Sequence, residues 1–440
     1  MKLLKNLLSS LLALSLGFSL SISAFASNED TPPEVFSDSY VVMDLDTSQV
    51  LIEKNMDKQE YPASITKIMT LALALENGEL TDEITVCKDC IAGFTSEDAH
   101  IALKEGEEIS LRDAVYATHL MSANDAANVV AHHIGGSIPD FVDMMNQKAK
   151  EIGCKNTHFE NPNGMPKENH LTTAYDMALI TKYALSVPGF EDVFNSTQYV
   201  MKKTNKTPEE RNFGTFHYMV TTSAFSYNGA LGGKLGWTKP AGHTIVTTAS
   251  RSGINLVCVA MKSTNKFEKY KDTTALFDYC FDNFHEETLS GATLKANPVP
   301  VLKGEKTIFE IEPIFKDKYK ILLHNSHSSK DIDYSSNLKE SYSYDEDINP
   351  QLIFTVKNCQ AEMKDSFSIP LEYKGGKTAN ASITTTFDRF LDGFLDGFLS
   401  FVILIVKTIA ICLGIALRIR FYNKNMFKRK NKSQKTKKKL

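Results

Sequence analysis

Between Tyr40 and Met261 the strand-forming residues lie at the two ends and the helix-forming ones in the middle, and this order constrains the fold most. Tyr40–Leu45 and Val50–Ile52 read as a hairpin turned by Asp46-Thr47-Ser48. Helical periodicity follows over Ser64–Glu76, Leu111–His119, Ala123–Ile134 and Ile138–Ile152. Thr173 and Asp176 match a capping box ahead of an apolar run to Leu185. Strand patterns return at Gly233–Trp237, His243–Ser250 and Ile254–Met261. Early and late strands bury their apolar faces together only by joining one antiparallel sheet, with the helices packed against it. An α/β (α+β) domain over residues 38–282 is therefore expected. From Pro298 the helical periodicity ends. Short strands at Thr307–Glu312, Tyr319–Leu323, Leu352–Val356 and Phe367–Leu371 predict a small all-β, sandwich-like domain over 298–375.

The two ends read as addresses. Lys2 and Lys5, an apolar run from Leu7, and Ala24-Phe25-Ala26 before Ser27 describe a secretory signal peptide over residues 1–26. Phe387, Phe390, Leu391, Phe394 and Leu395 recur at helical spacing, with Asp388, Asp392 and Asp396 on the wet face. That stripe runs into Phe398–Leu417, long enough for a hydrocarbon core of about 30 Å, although Lys407 interrupts it at a cost of about 2.5–3.5 kcal/mol. An amphipathic and transmembrane anchor is expected over residues 386–420, a helix lying flat in the interface being the alternative. The basic tail 421–440 belongs on the cytoplasmic side. Residues 27–397 carry 35 basic against 53 acidic side chains, which excludes nucleic acid as a partner for the body. The expected location is the cell membrane, with the catalytic domain extracytoplasmic.

Six cysteines precede the anchor. Cys87-Lys88-Asp89-Cys90 has the spacing of a redox or zinc knuckle, without a second Cys or His pair at zinc spacing, so a local disulfide or two free thiols remain the readings. His132-His133 reads as a surface or core pair.

Three short motifs carry chemistry in combination. Ser64-Ile65-Thr66-Lys67 starts a helix with Ser and Lys on one face, where an amine of lowered pKa can deprotonate the hydroxyl. Ser122-Ala123-Asn124 offers a proton-relaying hydroxyl and a carbonyl-orienting amide; the bland alternative is that both residues only start a helix. Lys234-Leu235-Gly236 places a cation and a glycine on a strand, where the missing side chain lets substrate backbone lie along the edge.

In this order the three motifs resemble those of the penicillin-recognising serine enzymes, the serine transpeptidase/β-lactamase-like fold. The resemblance is closest to the D-Ala-D-Ala carboxypeptidases of peptidase family S11, the low-molecular-mass penicillin-binding proteins. Asn161-Pro162-Asn163-Gly164, His170–Ala178 and Gly236–Gly242 agree with it. It implies acyl transfer without metal or cofactor on a peptidoglycan stem pentapeptide, with β-lactams as covalent inhibitors. Ser64 would be the nucleophile, Lys67 the base and Ser122 the proton relay. Asn124, Lys234, Gly236, Trp237 and Thr238 would bind substrate, and the Ser64 and Trp237 N–H groups would form an oxyanion hole worth about 3–4 kcal/mol. A β-lactamase, with Glu160 activating water, and an inactive sensor or scaffold are the rival readings. Leu235 stands where the family has Thr or Ser, a hydroxyl that bonds the substrate carboxylate; Thr238 or Arg211 could substitute for it. Losing such a bond costs about 1.5–3 kcal/mol. On this account Leu235→Thr raises turnover and the rate of penicillin acylation about ten- to a hundredfold, read by fluorescent-penicillin labelling. An unchanged rate refutes it.

Overall fold

The computed structural model describes residues 31–292, 294–357, 359 and 365–375. The segments expected as signal peptide, anchor and basic tail lie outside these residues. Among the described residues no helix is long and apolar enough to cross a membrane.

Two compact units emerge. The first runs to Thr293 and takes in Lys316–Asn337 and Gln351–Ile369; the second comprises Leu294–Phe315, Leu338–Pro350 and the chain from Pro370.

The first unit is built on an antiparallel sheet. In chain order its strands are β1 (Ser39–Asp44), β2 (Val50–Lys54), then, after two small hairpins β3 (Glu83–Thr85) with β4 (Glu108–Ser110) and β5 (Gln198–Met201) with β6 (Arg211–Gly214), β7 (Ala230–Thr238), β8 (Gly242–Arg251) and β9 (Ile254–Ser263). The sheet order is β2-β1-β9-β8-β7, with Val42 opposite Ile52 on one side and Cys258 on the other. The first and last strands do meet, as the element order requires, and β7 is left at an edge. Alternation along the strands sorts residues to two faces. Val41, Met43, Val257 and Val259 face the main helical core, whereas Tyr40, Val42, Cys258 and Ala260 face a second core. The second includes Tyr270, Leu276 and Phe277 of α7 (Glu268–Asn283), reached below after six earlier helices.

The helices are α1 (Lys67–Asn77), α2 (Leu111–Leu120), α3 (Asn124–Gly135), α4 (Ile138–Ile152), α5 (Ala174–Ser186) and the short α6 (Phe190–Phe194). Every residue of α1 from Lys67 to Ala74 is buried, so it is the central helix rather than an amphipathic cover. Ser110 and Asp113 form a reciprocal capping box on α2. Thr173 accepts from the Asp176 N–H (3.0 Å), but Asp176 does not return the bond. Its carboxylate instead accepts from the Asn156 N–H (2.8 Å) and the Thr157 hydroxyl (2.7 Å), so the expected box is half a box with a loop clamp.

Beyond α7, Phe284–Ser290 pairs antiparallel with Lys318–His324. The Gln49 side chain ties that strand to the sheet domain, donating to the Leu322 carbonyl (2.6 Å) and accepting from its N–H (2.9 Å). The second unit pairs Val299–Lys303 with Lys306–Ile314 around a small core of Val299, Val301, Ile311 and Tyr342.

The β5–β6 hairpin is pinned by Arg211, whose guanidinium donates to Glu107 (2.9 and 3.3 Å) and to Thr207 (3.0 Å). Burial pushes the Glu107 carboxyl up, but Arg211, Thr204 and the Lys104 N–H outweigh it and hold the pKa below its ordinary value. The pair therefore contributes stability above the ordinary carboxylate range, lost as pH falls through the lowered pKa. Glu107→Ala leaves Arg211 unpaired and should cost about 3 kcal/mol in urea unfolding at neutral pH, the difference shrinking in acid. A neutral-pH loss below the scatter of surface substitutions refutes this.

Candidate active site

Ser64 sits in a single turn of 3-10 helix, Ala63–Thr66, that leads directly into α1. The tighter winding eclipses positions three apart, which stacks Ser64 over Lys67. Ala63 holds a left-handed φ of +51°, a conformation that costs energy for any residue with a Cβ. The surroundings enforce it. The Thr244 hydroxyl donates to the Pro62 carbonyl (2.9 Å), and Gly164 packs so tightly that a Cβ there would lie 1.9 Å from the Ala63 carbonyl oxygen. A Cβ on Gly236 would lie 2.8 Å from the Ser64 nitrogen and 2.3 Å from Thr244 Oγ1. Gly236 thus lets strand β7 lie against the serine turn itself, a different reason from room for substrate backbone.

Lys67 Nζ lies 2.9 Å from Ser64 Oγ, 2.8 Å from Asn124 Oδ1, and in hydrogen-bond contact with the Asn163 carbonyl. Ser122, between α2 and α3, has φ +54° and accepts from Lys234 Nζ at 2.9 Å. The N-cap of α3 is Ala123, with no side-chain bond, so neither Ser122 nor Asn124 is there to cap a helix. Six expected residues therefore converge through two lysines and one glycine: Ser64, Lys67, Ser122, Asn124, Lys234 and Gly236. Trp237 and Thr238 continue along β7; Trp237 is 61% exposed and Thr238 accepts the Ala241 N–H (3.2 Å) in the β7–β8 turn.

The family model for D-alanyl-D-alanine carboxypeptidases matches residues 26–265. The chain belongs to that family. It is 29% identical over 356 residues to the D-alanyl-D-alanine carboxypeptidase DacF of Bacillus subtilis, covering 77% of this chain and 87% of that one. Against DacB2 of Mycobacterium tuberculosis the identity is 31% over 256 residues, 57% of this chain and 84% of the relative. In fold it is similar to the carboxypeptidase DacD of Francisella tularensis, with a TM-score of 0.59 at 21% identity over 80% of this chain and 96% of that one. The chain is a serine D-alanyl-D-alanine carboxypeptidase.

The carboxypeptidase site has an outer layer to which the motifs gave no role. Asn163 donates from Nδ2 to Asn128 Oδ1 (3.0 Å), Asn161 Oδ1 accepts the Gly164 N–H (2.7 Å), and Thr70 donates to the Pro162 carbonyl (2.6 Å). His170 accepts the Glu160 N–H at Nδ1, which leaves Nε2–H to donate to Thr66 Oγ1 (both 2.9 Å). Burial pushes His170 down to about 3, so it stays neutral. The Glu160 carboxylate accepts the Asn169 N–H (3.1 Å), committed to its own loop rather than to water at Ser64.

Electrostatically the site is lysine without carboxylate. Burial, then the charge of Lys234, pushes Lys67 well below the ordinary lysine pKa, with Asp125 opposing. Burial, then Lys269, pushes Lys234 down to about 7. Burial brings Lys269 itself to about 8. No ion pair is recorded for these three amines among the described residues. Lys269, at the start of α7, escaped sequence reasoning because no motif surrounds it.

Leu235 faces away. It packs with its cross-strand partner Ile245 on the second core, opposite Lys234 and Gly236. Arg211 cannot replace the missing hydroxyl, since Glu107 and Thr207 occupy its guanidinium. His132 is exposed, as the surface reading expects, and it lies beside a disulfide: Cys87 and Cys90 are bonded, and a His132 ring nitrogen lies within 4.8 Å of both sulfurs. His133 pairs with Asp82 at 3.1 Å.

Gly164 has φ +86°. Gly164→Ala adds backbone strain of about 1–2 kcal/mol and pushes on the Ala63–Ser64 turn. The variant should melt lower and acylate with penicillin at least tenfold more slowly; wild-type acylation with an unchanged melting temperature refutes the packing argument.

Proposed function

We propose that Ser64 is the acylated nucleophile and Lys67 its base, acting on the terminal D-Ala-D-Ala of peptidoglycan stem peptides. The arrangement of acceptors around Lys67 carries the reading. A neutral amine has two N–H donors and one lone pair. Asn124 Oδ1 and the Asn163 carbonyl only accept, so they take both donors. The lone pair is then left for the Ser64 O–H to donate to. Ser64 attacks the penultimate carbonyl as its proton passes to Lys67. The oxyanion meets the N–H groups of Ser64 and Trp237; the missing side chain of Gly236, which lets β7 approach the Ser64 nitrogen, supports this.

Lys234 donates to Ser122 Oγ, which turns the Ser122 proton outward to the departing D-alanine nitrogen. Lys67 resupplies that proton through Ser122. Asn124 orients the acyl-side amide, and Thr238 borders the site. Lys234, with Lys269 behind it, attracts the terminal carboxylate. Water deprotonated by Lys67 then hydrolyses the ester, restoring Ser64. A β-lactam opened by the same serine would remain attached. The signal-like start and the apolar, basic end support an extracytoplasmic catalytic unit held to the cell membrane by its C-terminus.

The test is fluorescent-penicillin labelling and D-alanine release from a pentapeptide, both expected for the wild type and absent in Ser64→Ala. Release persisting in Ser64→Ala overturns the assignment. In the free enzyme kcat/KM should rise with pH as Lys67 loses its proton and fall above about 7 as Lys234 loses its charge. Lys234→Arg, permanently charged, should move the alkaline limb upward; a limb that stays in place refutes the role of Lys234.

A further inference from the structure

Cys90, at the closed end of a four-residue disulfide loop, is the outer end of a hydrogen-bonded path to the active-site lysine. Its carbonyl accepts from Asn128 Nδ2 (3.2 Å), Asn128 Oδ1 accepts from Asn163 Nδ2 (3.0 Å), and the Asn163 carbonyl accepts from Lys67 Nζ. Every link is buried: Cys90 is 1%, Asn128 7%, Asn163 5% and Lys67 0% exposed. No helix or strand lies between Glu83–Thr85 and Glu108–Ser110, so this segment has little regular structure to hold the Cys90 carbonyl. Within the turn the only other closures are the Ile91 N–H to the Lys88 carbonyl (3.3 Å) and the Cys90 N–H to Cys87 Sγ (3.1 Å).

We propose that Cys87–Cys90 is a thiol–disulfide exchange site, and that its oxidised form positions Lys67 through Asn128 and Asn163. The proposal rests on the assignment of Lys67 as base. Cys87 is the accessible sulfur, since Cys90 is buried. A dithiol reductant attacks Cys87 as thiolate, breaking the S–S bond and expelling Cys90 as thiolate, which takes up a proton. His132, within 4.8 Å of both sulfurs and exposed, is placed to supply one. The second thiol of the reductant then attacks the mixed disulfide, releasing Cys87 as a thiol. Two electrons and two protons pass to the protein, and the reductant ends as its own disulfide. The reduced loop no longer fixes the Cys90 carbonyl, Asn128 loses an acceptor, and the Asn163 carbonyl is freed to move from Lys67. Asn128 and Asn163 are positioning residues here, not catalytic ones.

The experiment uses the full-length chain in detergent, oxidised or treated with dithiothreitol, with thiols counted and circular dichroism recorded. Reduction should add two thiols, leave the dichroism unchanged, and lower kcat for D-alanine release and the rate of penicillin acylation about tenfold, with KM altered less than twofold. Reoxidation should restore both. Cys87→Ser/Cys90→Ser should sit at the reduced level and ignore dithiothreitol. Asn128→Ala should show equally low rates in both states, because the path is cut. Two new thiols with unchanged kcat, a reduced chain that unfolds, or a full redox effect persisting in Asn128→Ala each overturn the proposal. An oxidised protein that neither releases D-alanine nor acylates overturns the base assignment first, and this inference with it.

Discussion

A lysine amine with no exposed surface, bonded to three separate segments of chain, is the constraint around which the carboxypeptidase site is organised. Lys67 reaches the serine turn at Ser64, the start of α3 at Asn124, and the 161–164 loop at Asn163. An ammonium there would be a buried charge that Asp125 offsets only in part, with Lys234 adding repulsion, which is why the amine is driven toward its neutral form. The same desolvation that makes Lys67 costly for the fold lowers its pKa well below the ordinary lysine value, which is what the proposed role as base requires. Stability and reactivity are set by one burial, and the two acceptors, Asn124 Oδ1 and the Asn163 carbonyl, fix which lobe of the nitrogen faces the serine.

The two hydroxyls are held in matching ways. Ser64 follows a residue with φ +51° and Ser122 itself has φ +54°, so both sit at turns that an L-residue occupies at a cost. Such turns persist only where the packing over-determines them. Around Ser64 that packing is backbone against backbone: Gly164 against Ala63, and Gly236 against the Ser64 nitrogen. β7 is an edge strand, so its outer backbone is unpaired within the sheet and an extended peptide can lie along it without disturbing the ladder with β8. The sheet's alternation then divides labour between faces: Lys234 points to Ser122, and Leu235 to the second core.

Much of this was legible in the sequence, for physical reasons. The continuous apolar runs at Tyr40–Leu45 and Ile254–Met261 describe strands that do pair, Val42 with Cys258, because a fully buried strand leaves an uninterrupted apolar record. The three motifs located six converging residues because their chemistry demands fixed local spacings. The rest depends on partners distant in sequence. The Thr173–Asp176 pattern predicts a full capping box, but only the Asp176 N–H joins it, while the carboxylate serves Asn156 and Thr157. The Ser64 turn was read as the start of an α-helix but is a 3-10 turn forced by Gly164 and Thr244, 100 and 180 residues downstream. His132 reaches the Cys87–Cys90 disulfide only once α3 is packed. Lys269 carried no local signal, since what marks it is burial beside Lys234, not a pattern of neighbours.

The charge distribution gives the site its selectivity a short range. The body between residues 27 and 397 carries more acids than bases, so an anionic peptide is not drawn in from afar. At the site the sign reverses: Lys234 and Lys269 supply a buried positive field beside the neutral Lys67, with no ion pair to either among the described residues. Low local dielectric strengthens that field at contact, while solvent ions screen it within about 10 Å. The side chain at position 235 points to the second core, which corrects the expectation that a hydroxyl there would meet the substrate carboxylate; on that strand it is Lys234 that points to the site. On the proposed role of Lys234, recognition depends on its protonation rather than on position 235, and burial that brings its pKa to about 7 places that dependence in the neutral range.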